Sequence, residues 1–285
     1  MATATASRHI PRVTLPQGEA VPQLGQGTWH MAEHPRHRKF EINALRVGMD
    51  LGMTLIDTAE MYADGGAEEL VGAAIEGRRD DVFLVSKVLP QHATFHGMQI
   101  ACQKSLRRLR TDRIDLYLLH WRGDVPLGET VEAFQHLVRV GMIRHWGVSN
   151  FDVADLEELR AVGGAAVQTD QVLYNLSRRG VEYDLLPWCR DRSIPITAYS
   201  PIEQGELVVH PAVERVAKRH DASTAQIALA WVLRKPGVIA IPKAATEAHV
   251  RINFGALRIH LTAPDLRELD EAFPPPSKKV PLEVL

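Results

Sequence analysis

The sequence predicts an α/β fold, a closed (β/α)8 barrel of the TIM type with a β-hairpin ahead of it. Two observations predict the barrel. Eight short apolar runs alternate with longer amphipathic segments along the chain. The first strand-to-helix turn reads Gly25-Gln26-Gly27-Thr28-Trp29-His30. It lacks the third glycine of the fingerprint that marks a doubly wound, dinucleotide-binding sheet. The 285 residues suit one such domain, 1–285, and no low-complexity linker divides them.

The chain begins with Ile10–Val13 and Val21 flanking Pro16-Gln17-Gly18-Glu19, a hairpin placed to cover the lower end of the barrel. Strands are predicted at Leu24–Thr28, Thr54–Asp57, Val82–Ser86, Ile114–His120, Ile143–Val148, Val167–Asp170, Ile196–Tyr199 and Val238–Ile241. Each is short and rich in Val, Ile or Leu, as strands covered on both faces are. Helices are predicted at Arg38–Leu51, Glu68–Ile75, Gly97–Leu109, Thr130–Val140, Val153–Arg160, Asp184–Arg192 and Thr224–Leu233, where apolar residues recur at three- and four-residue spacing. Asp152 and Ser223 read as helix N-caps, and Pro90 and Pro236 as boundaries. Pro274-Pro275-Pro276 stops the last helical stretch and begins a tail.

Lys and Arg total 33 against 35 Asp and Glu, so no net field draws the chain to nucleic acid or an anionic membrane. Cys102 and Cys189 fit neither a CxxC pair nor a zinc spacing, which points to reduced thiols in a cytosolic protein. Met1 to Arg12 shows no apolar run, and no stretch reaches the roughly 20 apolar residues of a membrane helix. The expected location is the cytoplasm. His30, His34 and His37 are spaced for a metal, but Pro35 interrupts them and no carboxylate or cysteine completes the set. A surface loop is expected there, and no metal.

Active sites of such barrels lie at the C-terminal ends of the strands. The predicted strands end in Asp57, followed by Thr58-Ala59-Glu60-Met61-Tyr62, then Lys87, His120-Trp121, Ser149-Asn150 and Tyr199-Ser200. Asp57 and Lys87 end adjacent strands, so their side chains can meet, and pairing keeps a buried lysine charged. That ammonium beside the Tyr62 phenol favours the phenolate and is expected to lower the Tyr62 pKa, making Tyr62 a proton donor near neutral pH. His120 is placed to hydrogen-bond the same substrate oxygen, so the group suits a developing alkoxide. No Ser or Cys lies beside a base, which argues against nucleophilic catalysis.

These residues sit in a set of motifs: Leu24-Gly25-Gln26-Gly27-Thr28-Trp29, Ile56-Asp57-Thr58-Ala59-Glu60-Met61-Tyr62, Val85-Ser86-Lys87, Leu118-Leu119-His120-Trp121, Gly147-Val148-Ser149-Asn150-Phe151, Ala198-Tyr199-Ser200-Pro201 and Ile241-Pro242-Lys243. In order and context they resemble the aldo-keto reductases along nearly the whole chain, most of all bacterial members that reduce methylglyoxal and related aldehydes. The resemblance implies a catalytic tetrad of Asp57, Tyr62, Lys87 and His120. It implies a nicotinamide cofactor, NADPH or NADP+, extended across the barrel mouth without a Rossmann domain. Ser149, Asn150 and Gln171 would hold the carboxamide, Tyr199 would stack on the ring, and Thr28 and Asp57 would lie near the ribose. Ser200, Ile202, Lys243, Ala244, Thr246, His249 and Asn253 complete the implied cofactor contacts. Lys243 matches the residue that meets the 2′-phosphate, while Ala244 and Ala245 follow it and His249 stands where many relatives have Arg. Arg251 is expected on the helix surface.

Trp29 and Trp121, with Tyr62 and His120, would line the substrate pocket, Met61 and Leu89 standing nearby. The implied activity is NADPH-dependent reduction of small aldehydes, ketones or dicarbonyls to alcohols. The implied partner is a small-molecule carbonyl substrate, and the implied state a monomer. The same tetrad also occurs in barrels that act as slow NADP(H)-sensing subunits, which is the alternative. The short segment after Tyr199 suggests an absent clamp, and the short tail from Pro274 to Leu285 suggests an open pocket.

Overall fold

The computed structural model describes residues 10–285, apart from the side chains of residues 206–208. A hairpin of β1 (Arg12–Thr14) and β2 (Ala20–Pro22) pairs antiparallel. Eight parallel strands follow: β3 (Gln26–Gly27), β4 (Leu55–Asp57), β5 (Phe83–Val88), β6 (Ile114–Leu119), β7 (Ile143–Ser149), β8 (Asp170–Leu173), β9 (Ile196–Tyr199) and β10 (Val238–Ala240). They are ordered consecutively, and the bridges Leu24–Ala240 and Gly27–Lys243 join the last strand to the first. The sheet is therefore the closed barrel the sequence predicts. Closure is tight: a Cβ on Gly27 would lie 2.6 Å from the Ile241 carbonyl oxygen.

Around the strands lie α1 (Arg38–Asp50), α2 (Gly66–Ala74), α3 (Phe95–Leu109), α4 (Leu127–Arg139), α5 (Val153–Ala161), α6 (Leu185–Arg190), α7 (Pro211–Arg219), α8 (Thr224–Leu233), α9 (Glu247–Gly255) and α10 (Ala263–Ala272). Asp152 and Ser223 close capping boxes on α5 and α8, as their sequence context predicts. Helix α7 stands where none is predicted; α9 and α10 are implied by the expected helix surface at Arg251 and the helix stop at Pro274 but have no predicted bounds, and Thr262 and Asp265 form a capping box at the start of α10. Strand β8 is shifted: it runs over Asp170–Leu173 rather than Val167–Asp170. Its centre is polar because Gln171 faces the barrel interior, so the nearest apolar residue, Val167, misplaced it. None of the described helices is long and apolar enough to cross a membrane.

Alternation along the strands sorts two cores. Leu55 of β4, Phe83 and Val85 of β5, Leu116 and Leu118 of β6, and Ile239 of β10 fill the barrel interior, capped below by Val13, Leu15 and Val21 of the hairpin. Ile56, Leu84, Val88, Tyr117, Leu119, Val148 and Val172 face outward against the helices. Continuing the inward period of two brings Asp57, Lys87 and His120 into the barrel above that apolar plug. Position in the alternation, more than local propensity, aims these polar groups inward.

Candidate active site

Lys87 is fully buried on β5 and Asp57 is 2% exposed at the end of β4. The Lys87 ammonium donates to Asp57 Oδ1 at 2.6 Å, to the Thr58 carbonyl at 2.9 Å and to the Tyr62 hydroxyl at 3.2 Å. An ammonium has three N–H groups, and each has an acceptor. Tyr62 comes from the turn after β4. There Ala63, Asp64 and Gly65 have φ of 48°, 51° and 90°, folding the chain back so that the phenol stands over Lys87. Only Gly65 takes such an angle without strain.

Burial pushes the Tyr62 pKa above its ordinary value, and the Lys87 charge pulls against that without overcoming it. The expectation of a lowered pKa is thus corrected: the ion pair is legible in sequence, but the burial that opposes it is not. Burial alone would lower Lys87, but Asp57 and then Tyr62 outweigh it and hold its pKa up. At neutral pH the site contains an ammonium and a phenol that keeps its proton.

His120 follows β6, and its ring meets Tyr62 edge-on with centroids 5.7 Å apart. Burial, helped by the Lys87 charge, lowers its pKa to about 3, so the imidazole is neutral. Its Nδ1 is buried without a partner. A buried N–H with no acceptor is costly, which favours the tautomer with the proton on Nε2. The ring lines the cavity.

The sequence-predicted cofactor residues are held in a second network. Ser149 donates to the Gln171 carbonyl at 2.8 Å. The Asn150 amide nitrogen donates to the His120 carbonyl at 3.1 Å, and its oxygen accepts from the Tyr199 hydroxyl at 3.0 Å. The Gln171 amide nitrogen donates to Asp57 Oδ2 at 2.8 Å, and Thr28 donates to the Asp57 carbonyl at 2.9 Å. Burial raises the Tyr199 pKa to about 12.

A cavity of about 480 Å³ opens over these groups, within the range of small-molecule sites. It brings together Thr28, Trp29, Asp57, Tyr62, His120, Trp121, Ser149, Asn150, Gln171, Tyr199, Ser200, Ile202, Lys243 and His249, with Met61 beside them. Ala244, Thr246 and Asn253 do not line it. Ala244 and Asn253 are buried, and the Thr246 hydroxyl caps α9 by accepting from the His249 amide at 3.3 Å. Leu89 also lies off the wall, its amide bound to Glu60, and Arg251 pairs with Glu247 along α9 at 2.7 Å. Lys87 does not line the cavity itself and meets it through Tyr62 and Asp57, which do.

His30, Gln204, Val284 and Leu285 line the cavity without having been singled out for it. The tail is the main departure. Lys279 lies 3.2 Å from Asp184, and Glu283 accepts from Arg178 at 2.8 Å. The Leu285 amide meets the Tyr199 hydroxyl at 3.4 Å. Arg178 also binds the buried Glu203 at 2.8 Å, so the segment after β9 is fastened to the tail. The pocket is more enclosed than the tail's length suggests. Among the described residues no cluster of three or more His, Cys, Asp or Glu is arranged to hold a metal.

Comparison with known proteins agrees with this geometry. Residues 23–273 match the model of the aldo/keto reductase family. The chain is 51% identical over 272 residues to the methylglyoxal reductase YeaE of Escherichia coli, covering 93% of this chain and 96% of that one. It is 31% identical over 261 residues to a glyoxal reductase of Bacillus subtilis, covering 90% and 91%. An aldo/keto reductase from Klebsiella pneumoniae, solved in complex with NADP and acetate, superposes with a TM-score of 0.95 at 52% identity, covering 97% of this chain and 100% of that one. By fold, by site and by sequence, this chain belongs to the aldo/keto reductase family.

Proposed function

We propose that the chain reduces small aldehydes, ketones and 1,2-dicarbonyls of the methylglyoxal kind to alcohols with NADPH, Tyr62 giving the proton. The observation that carries this reading is the Lys87 ammonium, whose third N–H is spent on the Tyr62 oxygen. The phenol oxygen therefore accepts from Lys87 and has its own proton to give. Relatives named for methylglyoxal and glyoxal reduction, and those solved with NADP and with NADPH, support the substrate class and the cofactor.

The residues present fit a nicotinamide dinucleotide. Tyr199 offers an aromatic wall and Gln171 a polar amide, and Lys243 and His249 line the same cavity. A cation there suits a 2′-phosphate. When bound in its reduced form, the cofactor supplies hydride to the carbonyl carbon.

The protein's own groups do the rest. A carbonyl oxygen between Tyr62 and His120 accepts from the phenol and from imidazole Nε2–H. As charge develops on that oxygen, the Tyr62 proton passes to it. Lys87 stabilises the phenolate left behind, and Asp57 keeps the ammonium in place. Trp29, Trp121 and Met61 give apolar walls that suit a small carbonyl and exclude bulk water.

A panel of aldehydes, dicarbonyls and sugars, followed by NADPH absorbance with NADH in parallel, tests the reading. Oxidation of NADPH by small dicarbonyls, faster than by open-chain sugars, is expected. No oxidation with any carbonyl would refute it.

A further inference from the structure

We propose that Arg108, which does not line the cavity, is a positioning residue: through Glu68 and Gly65 it holds the turn that keeps the Tyr62 hydroxyl against the Lys87 ammonium. This role rests on the reductase reading above, and it places a determinant of proton delivery outside the barrel wall.

The turn needs holding. Tyr62 is followed by Ala63 and Asp64 at φ of 48° and 51°, angles that residues with a Cβ rarely take, and then by Gly65 at 90°. Such backbone persists only where its surroundings over-determine it. Helix α2 starts directly afterwards at Gly66, so its first turn sets where the strained segment ends.

Two ties fasten this segment to the strand that carries Lys87. Before Tyr62, the Glu60 carboxylate accepts from the Leu89 amide at 2.8 Å. After it, Glu68 Oε1 accepts from the Ser86 hydroxyl at 2.6 Å. Glu60 and Glu68 flank Tyr62 in the chain, as Ser86 and Leu89 flank Lys87. The 3.2 Å between phenol and ammonium is therefore set by bonds on either side of each residue. Ser86 alternates with Lys87 on β5, so the second tie is made on the helix side of the strand while the ammonium faces the interior.

Arg108 secures that second tie. Glu68 is fully buried, and its Oε2 accepts from Arg108 Nε at 2.6 Å. A buried carboxylate is costly without a cation, and Arg108 is the one it meets. The same side chain lies over Gly65, where a Cβ would stand 2.5 Å from Arg108 Cδ and 2.6 Å from Nε. Arg108 belongs to the last turn of α3. From there it touches both the end of the strained turn and the carboxylate that ties it to β5.

The test is a double-mutant cycle on single-turnover reduction. Enzyme loaded with NADPH is mixed with one small dicarbonyl, below the thermal midpoint of every variant. The set is the wild type, Arg108→Met, Tyr62→Phe and the two combined, with the NADPH dissociation constant of each. Arg108→Met should slow reduction about 10- to 100-fold, the cost of misplacing the phenol by up to an ångström, with NADPH affinity within about twofold of wild type. In Tyr62→Phe, which has no hydroxyl left to misplace, the same substitution should cost less than about threefold. Ser86→Ala cuts the tie from the strand side without stranding a charge. It should slow reduction about 3- to 10-fold, the worth of one hydrogen bond, and lose that effect in Tyr62→Phe. It decides the matter alone if Arg108→Met does not fold. Equal losses with and without the Tyr62 hydroxyl would assign these residues to support of the fold and overturn the proposal. An undiminished rate in either folded variant would overturn it too. A wild type that oxidises no NADPH would instead bring down the reductase reading itself.

Discussion

The Tyr62 hydroxyl lies 3.2 Å from the Lys87 ammonium, and that ammonium has no donor left for anything else. In the proposed reaction this arrangement sets the direction of proton flow. Lys87 cannot also bind a substrate oxygen without releasing a partner, so in the proposed reaction it would act through the phenol. Asp57 and Thr58 hold the nitrogen in place, and the apolar plug below it keeps water out.

Removing the cation alone should be costly. Lys87→Met leaves the Asp57 carboxylate buried without its partner, and a loss of about 3–5 kcal/mol is expected. Adding Asp57→Asn should recover most of that loss. Denaturant midpoints of the two variants check this, and equal stability would contradict it.

The pH dependence has a worked sign. His120 titrates only near pH 3 and is neutral across the working range. Tyr62, as the acid, must hold its proton, and burial keeps its pKa above the ordinary tyrosine value. The turnover number for carbonyl reduction should therefore stay level through neutral pH. It should fall only as pH rises through the Tyr62 pKa, above about 10. A limb near pH 6.5 that disappears in His120→Gln would contradict the neutral imidazole.

Lys243 is exposed and lines the cavity. Lys243→Ala should raise the NADPH dissociation constant about tenfold and the NADH constant by less than about twofold. Equal effects would remove the 2′-phosphate from its role. His249 stays in the variant, so some preference for NADPH should remain.

The tail tests the enclosure of the pocket. Deleting Val284 and Leu285 removes two apolar walls and the amide that meets Tyr199. The KM for small aldehydes should rise about 3- to 10-fold, with kcat changed by less than about threefold. An unchanged KM would show that the tail only rests on the rim.

Much of this was legible in the sequence because strands carry a period of two. Once Val85 is read as inward, Lys87 must be inward too, and the same holds for Leu55 with Asp57 and Leu118 with His120. Strand β8 escapes the apolar pattern because Gln171 turns a polar side chain into the barrel toward Asp57. Helix α10 has a readable start at Thr262 and Asp265, which form a capping box. Other features had no local trace. Gln171 meets Asp57 across 114 residues of chain, and the Leu285 amide meets Tyr199 across 86. The direction of the Tyr62 pKa was missed because sequence shows which charges meet, while the burial opposing them comes from the packed barrel.

The most direct measurement compares wild type and Tyr62→Phe on one small dicarbonyl with NADPH, with the NADPH dissociation constant determined for both. The phenyl ring keeps the shape and removes only the hydroxyl. Turnover should fall by about 10²–10⁴-fold, with NADPH affinity within about twofold of wild type. Turnover surviving within about tenfold of wild type would mean that another group gives the proton.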